Sequence, residues 1–388
     1  MRRLMLLLAC VLIGVGLASA QHTKLGKAVK RFENKVMKYK ESKVDTNYIA
    51  YPSRRAMIRL VTKNSWNDND IYLPYKFSWD ENSNLEELIP GLDRYEYIKV
   101  KSNTFNSGVS LGFSYLGATV GYTINTSDRG VKQTFEIGSN GNAFGFKAGV
   151  SRNSLSDATV SDYRGMPLYI FGAYYDFNSG TMRPFNLDEE AKKYVKKGSD
   201  DFVDVVNWYA NAYYAFNHHK FSMGAGMNPN TLQLKSAGSV FLTGDVSYTR
   251  LHTNTILLGD KEKYNSTTVA LGVGYGYNWT PNRGRLVVHA SAMPMINVFN
   301  RISHTSYSIE EDGSVVEMDD GESLRNINDK KMKLSFSGQA RLGVCYHFNE
   351  WLVGGGNVIW SARKCLNASD SYMYNERLQL NAYVGCRF

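Results

Sequence analysis

The sequence predicts an all-β protein: an antiparallel transmembrane β-barrel of about 14 strands, with 12 to 16 allowed, preceded by a short amphipathic helix. Three observations lead there. Hydropathy alternates with period two through most of the 388 residues. Alternating runs such as 267–279 are much longer than the ~5–6 residues of soluble strands and suit a tilted bilayer crossing. The chain carries 26 Tyr, 18 Phe and 34 Gly with only 21% charged residues, so it is not a disordered chain. Beyond its first 20 residues it has no run near the ~18 apolar residues of a spanning helix. Lipid offers backbone groups no water, so a sheet crosses it only as a closed barrel.

The N-terminus reads as a secretory signal. Arg2 and Arg3 precede an apolar run over 4–17 that ends in Ala18-Ser19-Ala20, which predicts cleavage after Ala20. Removing 1–20 takes two of the 45 basic residues and none of the 36 acidic ones, so the mature charge is 43 − 36 = +7. Cys345, Cys365 and Cys386 remain. Three thiols close no disulfide framework, and none has the spacing of a metal or redox pair.

Residues 21–45 form a separate unit. Lys24, Lys27, Lys30, Arg31, Lys35, Lys38, Lys40 and Lys43 surround Leu25, Val29, Phe32, Val36 and Met37 at helical spacing. This predicts a basic amphipathic periplasmic helix, suited to an anionic membrane surface, to a partner, or simply to solvent. The barrel domain then runs over 46–388.

Within it the strands follow one another. Phe105, Val109, Leu111 and Phe113 alternate with Asn106, Gly108, Ser110 and Gly112, and Leu116-Gly117 makes the turn. Phe135 and Ile137 face away from Thr134 and Glu136, and Asn140-Gly141-Asn142 returns the chain into Phe144 and Phe146. Val240, Leu242 and Val246 oppose Thr243 and Asp245, while Val269, Leu271, Val273, Tyr275 and Tyr277 oppose a series of small residues. Leu342, Val344 and Tyr346 oppose Arg341 and Cys345, and the last strand puts Leu378, Leu380, Val384 and Phe388 on one face. Thirteen strand candidates lie between 105 and 388, with one to three more between 56 and 100. With a periplasmic C-terminus, the short turns lie inside, and 153–165, 251–265, 299–332 and 366–375 are outward loops. The connection 178–202 breaks this rule: it is long yet falls on the inner side, so either the strand count is off there or a small helix sits over 187–194.

Several pieces taken in order resemble a Bacteroidetes outer-membrane β-barrel family catalogued as a domain of unknown function. They are Asp45-Thr46-Asn47-Tyr48-Ile49, the run 135–145, Tyr213-Tyr214-Ala215-Phe216-Asn217 with Lys220-Phe221-Ser222, the run 233–239, the run 274–279, and Gly385-Cys386-Arg387-Phe388. The resemblance implies a barrel in the outer membrane of a Gram-negative bacterium. It implies no activity and no catalytic residues. In that setting the terminal Phe388 looks like the signal read by the barrel-assembly machinery.

Alternation places Lys132, Glu136, Lys147, Asp245, Arg285, His289, Gln339, Arg341, His347, Arg377 and Arg387 towards the lumen. Buried charges pair or sit in water, so the interior is either a wet, anion-favouring channel or a filled barrel, and the reading leans to the filled form. His289 and Ser291 share one strand face, as a base and a nucleophile would. No third, orienting residue is identifiable from the sequence, and both point into the lumen rather than to lipid. No catalytic residue, cofactor or metal site is predicted. His218-His219 reads as a solvated turn, and the acidic loop with Glu310, Glu311, Asp312, Glu317, Asp319, Asp320, Glu322 and Asp329 lacks calcium-loop spacing.

The expected function is therefore non-enzymatic: a small-solute pore, or a filled structural or binding barrel. Its partners are outer-membrane lipid, the assembly machinery, and a small solute or a periplasmic protein; nucleic acid has no support beyond net charge. The rivals are an outer-membrane lipid hydrolase acting through Ser291 and a soluble exported β-sandwich that binds glycan.

Overall fold

The computed structural model describes residues 24–76, 95–125, 133–154, 159–163, 173–176, 181–184, 195–197, 203–254, 261–309, 315–317, 333–366 and 371–388. The signal segment, Lys132, the stretch 187–194 and all of the acidic loop residues except Glu317 lie outside them. Twelve strands form the wall: β1 (Ala56–Lys76), β2 (Tyr95–Tyr115), β3 (Ala118–Asn125), β4 (Gln133–Asn140), β5 (Phe144–Ser154) and β6 (Val203–Ala215), then β7 (Ala237–Asn254), β8 (Lys261–Trp279), β9 (Leu286–Ile309), β10 (Phe336–His347), β11 (Leu352–Leu366) and β12 (Tyr372–Arg387). Each pairs antiparallel with its sequence neighbours, and β12 pairs with β1 from Tyr372↔Tyr72 to Arg387↔Met57, which closes the barrel.

Twelve is two fewer than the central expectation, and the difference has one place of origin. β5 pairs directly with β6, from Phe144↔Tyr214 to Ser154↔Asp204. No wall strand stands between them. The short strand 159–163 extends the sheet beside Tyr97–Lys101 of β2, and 195–197 pairs with 159–163 in turn. Of the connection 178–202, residues 195–197 therefore lie at the end with the long connections, not at the inner side expected for it. Several expected loops are also shorter, because polar strands continue past the apolar band. β9 runs on to Ile309, where Tyr307–Ile309 pairs with 315–317.

The wall is apolar outside and polar inside. Leu60, Val109, Phe135, Trp208, Leu242, Val273, Leu342 and Val384 are all exposed on the outer face. Towards the short-turn end the outer face becomes aromatic, with Phe144, Tyr214, Tyr277, Trp279, Tyr346, Phe348 and Trp351 exposed. At that end Leu116 (φ 50°) and Gly117 (φ 92°) close a two-residue hairpin with both residues left-handed, where glycine carries no Cβ penalty.

The short-turn end also holds helix α1 (Lys24–Glu41). Val29, Glu33, Val36, Met37 and Lys40 form its partly or fully buried stripe. The Tyr115 hydroxyl donates to Glu33 at 2.7 Å, and Lys40 Nζ donates to the Leu116 carbonyl. Burial lowers the pKa of the Lys40 ammonium. Phe32 and Tyr39 are exposed.

Candidate functional site

One connection at the short-turn end is long. Residues 216–236, between β6 and β7, fold into the barrel mouth instead of hanging below it. They carry the five-residue helix α2 (Met223–Met227), of which Met223, Gly224, Ala225 and Gly226 are buried. Phe221 and Met223 pack with Tyr213, Phe241 and Met293 of the wall, and Ala225 packs with Met57, Val287, Cys345 and Val353. The fit is at backbone distance. A Cβ on Gly226 would lie 2.3 Å from His289 Cβ, and one on Gly343 would lie 2.6 Å from the Gly226 carbonyl oxygen. Only glycine lets the two backbones approach so closely.

Gln233 holds this plug together. Its Oε1 accepts from the Ser222 amide and from Asn278 Nδ2, both at 3.0 Å. Its Nε2 donates to the carbonyls of Lys220 at 2.6 Å and Lys235 at 2.9 Å. The segment after α1 joins in. Ile49 and Ala50 pair with Gln233 and Leu232, Leu234 N–H donates to Tyr48 O, and Asp45 N–H donates to His219 O. The Asn47 backbone N–H, donating to Asp45 Oδ1 at 3.0 Å, holds that carboxyl below its usual range. Arg387 donates to the Pro229 carbonyl at 2.7 Å and lies 3.0 Å from His347 Nδ1, which ties the last strand to the plug.

Asn278 supplies the third residue that the sequence did not reveal. Its Nδ2 donates to Ser222 O and Gln233 Oε1, so its Oδ1 faces His289 Nδ1 at 2.8 Å. His289 Nδ1 must then carry the proton, leaving Nε2 to accept from the Ser291 hydroxyl at 3.0 Å. The order Asn–His–Ser is that of an activated nucleophile. His289 and Asn278 are fully buried under α2, however, and Ser291 is nearly so. Ser291 does not line the barrel's polar cavity.

Above the plug lies a polar cavity of about 270 Å³, floored by Met227 and Asn228. Arg59, Lys63, Lys147, Arg341, Arg363 and Arg377 line it, with Glu136 as the lining carboxylate. Glu136 receives Lys147 at 2.7 Å, Lys63 at 3.0 Å and the Tyr209 hydroxyl at 2.5 Å. Asp245 holds Arg363 through two oxygens, at 2.8 and 2.9 Å. Arg341 donates to Gln339, Asn211 and the Met223 sulfur, joining the cavity to the plug.

The residues expected in the lumen thus divide. Glu136, Lys147, Gln339, Arg341 and Arg377 line the cavity, and Asp245 stands behind it. His289, His347 and Arg387 pack against the plug. Arg285 is a correction: it precedes β9 in the turn and is exposed, because the strand does not begin until Leu286. His218-His219 is also more than a solvated turn, since His219 Nδ1 lies 2.8 Å from the Lys43 carbonyl. Arg59, Lys63 and Arg363 were missed, although alternation along β1 and β11 contains them. The terminal Phe388 exchanges backbone hydrogen bonds with Ala56 at the seam.

The sequence profile of the family described as Domain of unknown function (DUF4421) matches residues 43–388. The chain belongs to this family. No curated protein matches it. Among solved structures it is similar to the translocator domain of the autotransporter NalP from Neisseria meningitidis, at 11% identity over 96% of this chain and 100% of that one, with a TM-score of 0.33. It is also similar to the outer membrane protease OmpT from Escherichia coli, at 8% identity over 87% and 98% with a TM-score of 0.35. For the toluene transporter TodX of P. putida the values are 8%, 86%, 90% and 0.26. None of their activities is carried over to this chain.

Proposed function

We propose that this chain is a non-enzymatic outer-membrane barrel closed at its periplasmic end by its own plug, a binding barrel rather than an open pore. The observation that carries the reading is the plug itself, 216–236, whose buried glycines touch the wall backbone on both sides. The apolar outer face and the closed ladder suit a membrane wall without an edge. The short-turn end, where the plug, α1 and the C-terminus gather, is periplasmic in this reading, and Phe388 at the seam serves the assembly machinery.

A lipid hydrolase is the poorer reading, because Ser291 faces inward beneath the plug. The β-sandwich alternative is overturned by the fold, in which one ladder runs unbroken through twelve strands and returns to β1. Swelling of proteoliposomes tests the proposal. Vesicles holding the folded protein should swell no faster in a small neutral sugar than empty vesicles. Rapid swelling would establish an open pore and refute the closed barrel.

A further inference from the structure

The inner wall of the cavity holds more positive charge than its own carboxylates neutralise. Six cations line or border it, against Glu136 and Asp245 among the described residues, a balance of 6 − 2 = +4. The two carboxylates are already engaged, Asp245 by Arg363 through both oxygens and Glu136 by two lysines and a tyrosine. Among the described residues, Arg341 finds only amide oxygens and a thioether. The Nε atoms of Arg59 and Arg377 are buried without an acceptor among the described residues. A guanidinium withdrawn from water and left without an anion is costly, and a group bringing several negative oxygens removes that cost. Guanidinium forks match the oxygens of phosphate in pairs, which a spherical halide does not offer. The cavity, about 270 Å³, lies just below the roughly 300–1,000 Å³ of ordinary small-molecule sites, so the guest is small.

We propose that this cavity binds a small phosphate-class oxyanion, held by Arg59, Arg377 and Arg341 above the plug. The inference rests on the closed-barrel reading, since the plug is the cavity floor. Glu136 sets the strength of the site: it withholds Lys63 and Lys147 from the anion by holding them itself.

The test is isothermal titration of the folded full-length mature protein in non-ionic detergent. Inorganic phosphate and glycerol 3-phosphate are the two probes, against sodium chloride at matched ionic strength. Saturable heat is expected with a phosphate probe and not with chloride, and the tighter probe tells a free ion from a phosphate ester. Arg59→Gln and Arg377→Gln should each weaken binding at least tenfold while the protein keeps its heat-modifiable migration. Glu136→Gln should strengthen it by releasing the two lysines, an effect that a purely structural carboxylate would not produce. Equal heats with phosphate and chloride, or binding untouched by both arginine variants, would overturn the proposal. Failure of the closed-barrel reading shows separately, as solute flux through the wild type whether or not phosphate binds.

Discussion

Gln233→Leu isolates what holds the plug in place. The side chains are similar in size, so the change removes hydrogen bonds with little loss of packing. Asn278 Nδ2 keeps Ser222 O, and Tyr48 O keeps the Leu234 amide. The Ser222 N–H loses its partner inside the plug, while the Lys220 and Lys235 carbonyls belong to exposed residues. One orphaned buried amide costs about 1–3 kcal/mol. The loss is capped by the free energy of plug docking, because the plug opens before the wall does. Even the lower figure raises the open population about fivefold. Hydrogen exchange reads this at amides that do not bond Gln233. Leu234 N–H, on Tyr48 O, and Asn228 N–H, on Gly224 O at 2.8 Å, should exchange at least about fivefold faster. Barrel strands such as β8 should keep their protection. Unchanged exchange at both amides would refute the role of Gln233, and equal loss across the wall strands would refute an independently opening plug.

Other consequences follow from the same geometry. Gly226→Val should undock α2, because its Cβ would fall 2.3 Å from that of His289; trypsin should then cut at Lys220 or Lys235, with the heat-modifiable barrel retained. Asp245→Asn should destabilise the wall by an amount on the order of 3–5 kcal/mol, since it strands the Arg363 guanidinium inside; Arg363→Met in the same chain should recover most of the loss in urea unfolding. The Asp45 carboxyl has a lowered folded pKa, led by the Asn47 backbone hydrogen bond. Its contribution is present above the unfolded value of about 3.9 and disappears as pH falls through the folded value. Exchange at Ile49, whose amide donates to Asp45 O at 2.9 Å, should accelerate below about pH 4, and Asp45→Asn should abolish that dependence.

The barrel was legible because alternation is a local property: each residue of Tyr275, Tyr277 and Trp279 announces its face beside a small neighbour. The strand count was harder to read. The stretch between Ser154 and Val203 contains real strand segments, and only the register of β5 against β6 shows that they do not cross the wall. The plug was hidden for a related reason. Lys220, Gln233 and Lys235 look like an ordinary polar turn, and nothing local says that Gln233 will be fully buried with five hydrogen-bonding contacts. Asn278 was invisible as the partner of His289, since it reaches that residue from the adjacent strand. Yet the pieces that carried the family resemblance converge on this region. Asp45–Ile49, Phe221, Gln233, Asn278 and Arg387 are the plug and its socket.

The central claim is that residues within 216–236 seal the barrel. Ser222 Oγ lies 3.1 Å from Thr231 Oγ1, so 223–230 leave and return at one point and can be replaced by two glycines without straining β6 or β7. Single-channel recording in planar bilayers then compares the wild type with this excised form. The wild type should be silent, and the excised form should show discrete steps selective for anions, reflecting the cations left on the wall. Equal steps from both proteins would contradict the claim, because the lumen would then be open with its plug in place.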